Sequence, residues 1–154
     1  MRPSIQLIGP RPTKISELAV KAEAAGFEAA GLPSPYGFYT GIGMLAEATN
    51  EILLATSILP LFHASPYMHA SSSIMMQEVT NGRFILGVGS QTKGQIRTTV
   101  GIDPESPAKM ARDMVLAIRS LMNGEGHYEG EYYKLNTGKR LVIHATGKKP
   151  PPIY

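Results

Sequence analysis

What narrows the folding options of this chain most is a regular alternation of strand-like and helix-like segments. Strand-like runs begin near residues 4, 28, 52 and 84, and a helical pattern follows each of them. Ser4–Ile8 reads as a short strand closed by Gly9 and Pro10. Thr13 and Ser16 stand where a helix N-cap would, and Ile15, Leu18, Ala19, Ala22 and Ala25 then recur at helical spacing as far as Gly26. Glu28–Leu32 gives a second strand, a Gly/Pro/aromatic loop runs from Pro33 to Gly41, and a helix is expected around Ile42–Thr49. The apolar, β-branched run Ile52–Leu59 predicts a strand covered on both faces. Ser65-Pro66 opens a helix to about Thr80, and Phe84–Val88 is a further buried-looking strand. A short helix is expected at Gln95–Val100, and a stronger one from Ser106-Pro107 to about Met122.

Repeated units of this size imply parallel strands joined by right-handed crossovers. The pattern changes at Glu125, where Tyr128–Leu135 and Leu141–Ile143 suggest a small hairpin or extended insertion. Pro150–Tyr154 has the look of an approach to one more strand. The expected organisation is therefore four βα units over residues 1–124, an insertion over 125–149, and the start of a strand at 150–154. On pattern alone this fits either a small doubly wound sheet or half of a (β/α)8 TIM barrel, which needs about 200–250 residues against the 154 present.

Composition removes several function classes. With no cysteine, the chain has no disulfide framework, no thiolate metal site and no cysteine nucleophile. The net charge of +3 is local: Lys139, Arg140, Lys148 and Lys149 follow Thr137 without an acid, while the other 11 basic residues meet 12 acidic ones. No basic face with stacking aromatics is left to hold a nucleic acid. No apolar run approaches the ~20 residues of a membrane span, and the start at Met-Arg-Pro-Ser carries no secretory pattern, so a cytoplasmic chain is expected. His63 and His69 are six apart and His127 and His144 stand alone, a spacing that points to no metal site.

The most informative stretch is Asn81-Gly82-Arg83-Phe84-Ile85-Leu86-Gly87-Val88-Gly89-Ser90. Glycines at the carboxyl end of a strand let a flat ligand or a phosphate approach the backbone, although tight packing explains Gly-x-Gly equally well. Neither a Rossmann glycine triplet nor a phosphate-loop lysine is present. Around this stretch lie Ala24-Ala25-Gly26-Phe27-Glu28, the run Leu53–Leu59 with Pro60, Ala64-Ser65-Pro66, and Tyr128-Glu129-Gly130-Glu131-Tyr132-Tyr133. Together these resemble the luciferase-like monooxygenase superfamily of flavin- and deazaflavin-dependent enzymes. Gly89–Ile96 (Gly-Ser-Gln-Thr-Lys-Gly-Gln-Ile) is most similar to its deazaflavin-dependent branch. The likeness runs over nearly the whole chain and corresponds to the amino-terminal half of such an enzyme.

The resemblance implies half of a (β/α)8 barrel that binds a deazaflavin coenzyme of the F-420 type, or FMN, together with a small organic substrate. It implies a bulge with a non-proline cis peptide at Ser57-Ile58, pressed against one face of the ring. Gly89, Ser90 and Gln91 would contact the ring edge or ribityl chain, and Lys93 would meet a phosphate or glutamate tail. Where deazaflavin-dependent relatives carry an acid and a histidine after strand two, this chain has Ser34 and Pro35, neither of which transfers protons usefully at neutral pH. The catalytic residues are thus unassigned, with His63 the nearest candidate for acid–base work. The resemblance also implies an oxidoreductase or monooxygenase that is incomplete and inactive as this chain alone. Its open sheet edges would favour homo-oligomers or association with the remaining half-barrel. A self-associating half-barrel that binds without catalysis is the alternative.

Overall fold

The structure, a computed structural model, describes residues 3–9, 11–138 and 149–154. Helix α1 (Pro12–Ala24) follows strand β1 (Ser4–Gln6), and α2 (Phe38–Ala48) follows β2 (Ala29–Leu32). Strand β3 (Leu53–Thr56) continues after a break as β4 (Leu59–Pro60) and leads to α3 (Pro66–Val79). In the same way β5 (Phe84–Ile85) continues as β6 (Val88–Gly89) and leads to α4 (Lys93–Val100) and α5 (Pro107–Met122). An antiparallel pair, β7 (His127–Glu129) and β8 (Lys134–Asn136), closes the described elements before residue 149. The expected extended segment Leu141–Ile143 lies outside the described residues.

The main sheet is all parallel, with strands in the order β1-β2-β3-β5, and β4 pairs with β6 alongside it. A further parallel bridge joins Leu86 to Ile153, with Val88 N–H donating to the Tyr154 carbonyl at 2.8 Å. Each strand therefore lies beside its successor in sequence, with no reversal of order. A doubly wound sheet reverses its order and carries helices on both faces. Here burial alternates along β2 and β3: Ala30, Leu32, Leu54 and Thr56 are buried, while Ala29, Gly31, Leu53 and Ala55 are not. One face is thus covered by helices, and the core of Leu54, Phe84, Leu86, Ile42, Ile118 and Leu121 sits between it and them. The other face is open and mostly small, with Ser4, Ala29, Gly31, Ala55 and Gly87 among its residues.

Several boundaries move from their sequence positions. α1 begins at Pro12 with Arg11 before it, so neither Thr13 nor Ser16 is its cap. Gly37 adopts φ +87° and lets α2 start at Phe38, four residues earlier than expected. The run Ile52–Leu59 is two strands rather than one, and so is Phe84–Gly89.

At the amino-terminal end of the sheet two charged side chains hold the turn between α2 and β3. The Glu23 carboxylate accepts from the backbone N–H groups of Asn50 (2.9 Å), Glu51 (2.7 Å) and Ile52 (2.9 Å). Arg83 donates to the carbonyls of Thr80 (2.8 Å), Ile52 (3.0 Å), Thr49 (2.9 Å) and Ala46 (3.4 Å), and to the Thr49 hydroxyl (3.0 Å). Two of these acceptors, the Ala46 and Thr49 carbonyls, lie at the carboxyl end of α2, so the guanidinium acts as a helix cap. Arg83, read in sequence as part of the glycine-rich stretch, is a scaffold residue at the end of the sheet away from Gly89.

Candidate active-site face

The sheet breaks at matching heights in its third and fourth strands. Thr56 is buried, and its hydroxyl donates to the Gly87 carbonyl (2.8 Å) while accepting from the Gly87 N–H (3.0 Å). A side chain on Gly87 would run into the Thr56 carbonyl oxygen, so this glycine is set by strand packing. Beyond the lock the Ser57–Ile58 peptide bond is cis, and Leu59 N–H picks up the Gly87 carbonyl at 2.8 Å.

Small residues keep the surface around Ser57 low. A Cβ on Gly31 would lie 2.9 Å from Ser57 Cβ, and one on Gly89 would lie 2.9 Å from Ile58 Cδ1. Ile58, itself 43% exposed, is therefore free of side chains from the strand beside it. Gln6 lies two strands away, and its Nε2 donates to the Ser57 carbonyl at 3.0 Å. Gln6, Gly31, Ser57, Ile58, Gly87 and Tyr154 are among the residues that line an open concavity of about 500 Å³. Among the described residues of that lining, Tyr154 is the only one with an ionisable side chain.

The remaining sequence candidates are spread more widely. Gly89 and Ser90 line an adjoining groove of about 460 Å³ with Leu61, Arg112 and Arg119, and Val88 and Tyr154 border both spaces. The Ser90 hydroxyl donates to the Gln91 carbonyl at 3.3 Å. Gln91 holds φ +63°, and its Oε1 is buried without a hydrogen-bond partner. Lys93 is exposed at the first position of α4 and donates to the Glu105 carbonyl at 2.9 Å, lining neither space.

His63 is exposed, bonds Thr99 Oγ1 through Nε2 at 3.0 Å and meets the Phe38 ring edge-on at 5.8 Å; it also lines neither space. His69 is buried: Nε2 donates to the Leu61 carbonyl (2.8 Å) and Nδ1 accepts from the Tyr39 hydroxyl (3.1 Å). Burial holds its pKa below the ordinary value, which keeps it neutral, and burial raises Tyr39 to about 12. Ser34 and Pro35 form a 3-10 turn with Tyr36, whose hydroxyl donates to the Gly9 carbonyl at 2.6 Å. Among the described residues no group of three or more acids and histidines is placed to hold a metal ion, and no helix is long and apolar enough to cross a membrane.

Sequence reasoning missed Gln6, Gly31 and Thr56. The one signal available for Gln6 was a polar residue set between Ile5 and Leu7, at a position whose side chain faces away from the helices.

A luciferase-like monooxygenase family model matches residues 2–154, and the chain belongs to that family. It is 33% identical over 139 residues to the 5,10-methylenetetrahydromethanopterin reductase of Archaeoglobus fulgidus, covering 86% of this chain and 40% of the relative. The coenzyme F420-dependent tetrahydromethanopterin reductase of Methanopyrus kandleri superposes with a TM-score of 0.76 at 27% identity, over 88% of this chain and 44% of that one. The oxygenating constituent of 3,6-diketocamphane monooxygenase from Pseudomonas putida, solved with FMN, shares the fold with a TM-score of 0.79 at 18% identity, over 99% and 50%. Of these proteins, the Methanopyrus kandleri reductase depends on coenzyme F420, and the monooxygenase constituent solved with FMN shares the fold. The fold is the α/β fold of its TIM-barrel enzymes, and the chain spans about half the length of the relatives it matches.

Proposed function

We propose that this chain forms the amino-terminal half of a flavin-type oxidoreductase, using coenzyme F420 or, as the alternative, FMN, on a small organic substrate. In this reading residues 1–124 are the half-barrel, 125–149 an insertion, and 150–154 the start of its fifth strand. The observation that carries it is the low ledge of Ser57 and Ile58, flanked by Gly31 and Gly89, at the carboxyl end of a parallel sheet. Active sites of this architecture sit at that end.

The residues present fit a planar tricyclic ring. Ile58 offers an exposed apolar side chain to one ring face, and the absence of side chains at Gly31 and Gly89 leaves the ledge open to a flat group. The Ser90 hydroxyl, which donates to the Gln91 backbone carbonyl, lines the adjoining groove, and the Gln91 Oε1 buried beside that strand end has no partner of its own. When bound, the coenzyme supplies hydride transfer in the deazaflavin case or oxygen activation in the FMN case. This half contributes apolar support, orientation and exclusion of water. Tyr154 is the only proton-transferring side chain on the described lining, so acid–base groups and most ligands to the coenzyme tail belong to the complementary half of the barrel. Completion by that half, or self-association through the open strand edges, would also cover the exposed inner face.

Parallel fluorescence titrations with F420 and FMN test this reading. Saturable quenching is expected with at least one of them, weakened in Gly89→Val, whose side chain would occupy the space beside Ile58. A chain that leaves both fluorophores unchanged at high micromolar concentration contradicts it.

A further inference from the structure

We propose that Gln6 is a positioning residue that fixes the Ser57 carbonyl, and with it the Ser57–Ile58 ledge, for a tricyclic ring. This rests on the ring-binding reading above and assigns that site a residue from a strand that makes no backbone contact with the ledge.

Gln6 belongs to β1 and Ser57 follows β3, with β2 between them. In register, Gln6 stands beside Gly31, and Gly31 beside Ala55. Adjacent strands are about 4.8 Å apart, so a side chain can cross β2 only where β2 carries no side chain of its own. Gly31 meets that condition, and the same glycine gives the Ser57 side chain its room, since a Cβ there would lie 3.3 Å from Ser57 Oγ.

The ledge is held at three points. Ser57 N–H donates to the Leu32 carbonyl at 2.8 Å, and Leu59 N–H donates to the Gly87 carbonyl at 2.8 Å. Those two bonds anchor its ends to the neighbouring strands. The Ser57 carbonyl, in the middle, is restrained by the Gln6 amide at 3.0 Å. Gln6 is exposed on the concave face and takes no part in the hydrophobic core. Removing its donor therefore leaves folding largely intact while releasing the ledge.

The test uses riboflavin, which carries the tricyclic ring without a phosphate, against the wild-type chain, Gln6→Met and Gln6→Glu. Gln6→Met keeps the side-chain length and loses the donor; it should bind riboflavin about tenfold more weakly while melting within about 2 °C of wild type. Gln6→Glu should bind weakly at mildly alkaline pH and recover as acidification restores an O–H donor to the carboxyl, a pH profile that a purely structural role would not produce. In the free wild-type chain, labelled with nitrogen-15, the Gln6 side-chain amide should exchange more slowly than those of exposed glutamines. Wild-type affinity in Gln6→Met, or a flat pH profile in Gln6→Glu, overturns the proposal. Fast exchange of the Gln6 amide overturns the tie to Ser57 whatever the ring does. Failure of riboflavin to bind the wild-type chain overturns the ring-binding reading itself, and is told apart because it leaves the slow exchange untouched.

Discussion

At the amino-terminal end of the sheet Arg83 makes five hydrogen bonds and Glu23 gathers three backbone N–H groups, while at the other end Gln91 Oε1 is buried unpaired and Ile58 faces solvent. Both ends join strands to helices, so connectivity does not explain the contrast. The difference is that charged side chains are spent on backbone groups at one end, whereas the other presents an exposed apolar side chain and keeps a buried polar atom unpaired. In parallel α/β architectures stability is concentrated at the first end and ligand binding at the second. The same split assigns roles to residues that look alike in sequence: Arg83 and Gly89 are six residues apart in one motif and serve opposite ends.

The largest expected effect breaks the stabilising end. Arg83→Met would leave the carbonyls of Ala46, Thr49, Ile52 and Thr80 short of a donor, and should cost about 3 kcal/mol in denaturant unfolding. Ring binding by the fraction still folded should be unchanged. The reverse pattern is expected for Gly89→Val. Its side chain meets the flexible end of Ile58, so the stability cost should stay near 1 kcal/mol while FMN affinity falls about tenfold.

A smaller effect tests Glu23 through pH. Burial pulls its carboxyl upward, but the N–H donors of Glu51, Ile52 and Asn50, with Arg83 nearby, outweigh this and hold its pKa below 4.5. A carboxyl lowered by folding contributes stability that is present above the unfolded value and is lost as pH falls through the folded one. Glu23→Gln should therefore unfold more easily than wild type at neutral pH, and the gap should close on acidification below about pH 4.5. The smallest effect is expected of His63→Ala. Exposed and away from both hollows, His63 should be replaceable with less than about 0.5 kcal/mol change in stability and less than twofold change in FMN affinity.

The βα alternation was legible because each strand's helix-facing positions and each helix's apolar stripe follow their own periods. Helix α5 keeps its expected span, with Met114, Ile118 and Leu121 on the buried side. The breaks in the third and fourth strands were hidden, since Ile52–Leu59 and Phe84–Val88 are strand-like throughout and the interruption is imposed by the Thr56–Gly87 lock between them. The cap formed by Arg83 was invisible for a related reason: its acceptors lie more than thirty residues away in sequence, apart from Thr80. Of the candidate site, Ser57 and Ile58 came from family resemblance, and no local pattern marks them. His63 stood out in sequence as the acid–base candidate, and only the fold shows it at the surface beside Thr99 while His69 lies buried against Tyr39.

The contrast between the two ends is tested most directly by mapping FMN onto the chain through its backbone amide resonances. The account predicts shifts confined to Gly31, Ser57, Ile58 and the stretch from Val88 to Gln91, with Asn50, Glu51, Ile52 and Arg83 unmoved. Shifts centred on the Glu23–Arg83 end, or spread evenly over both, would contradict it.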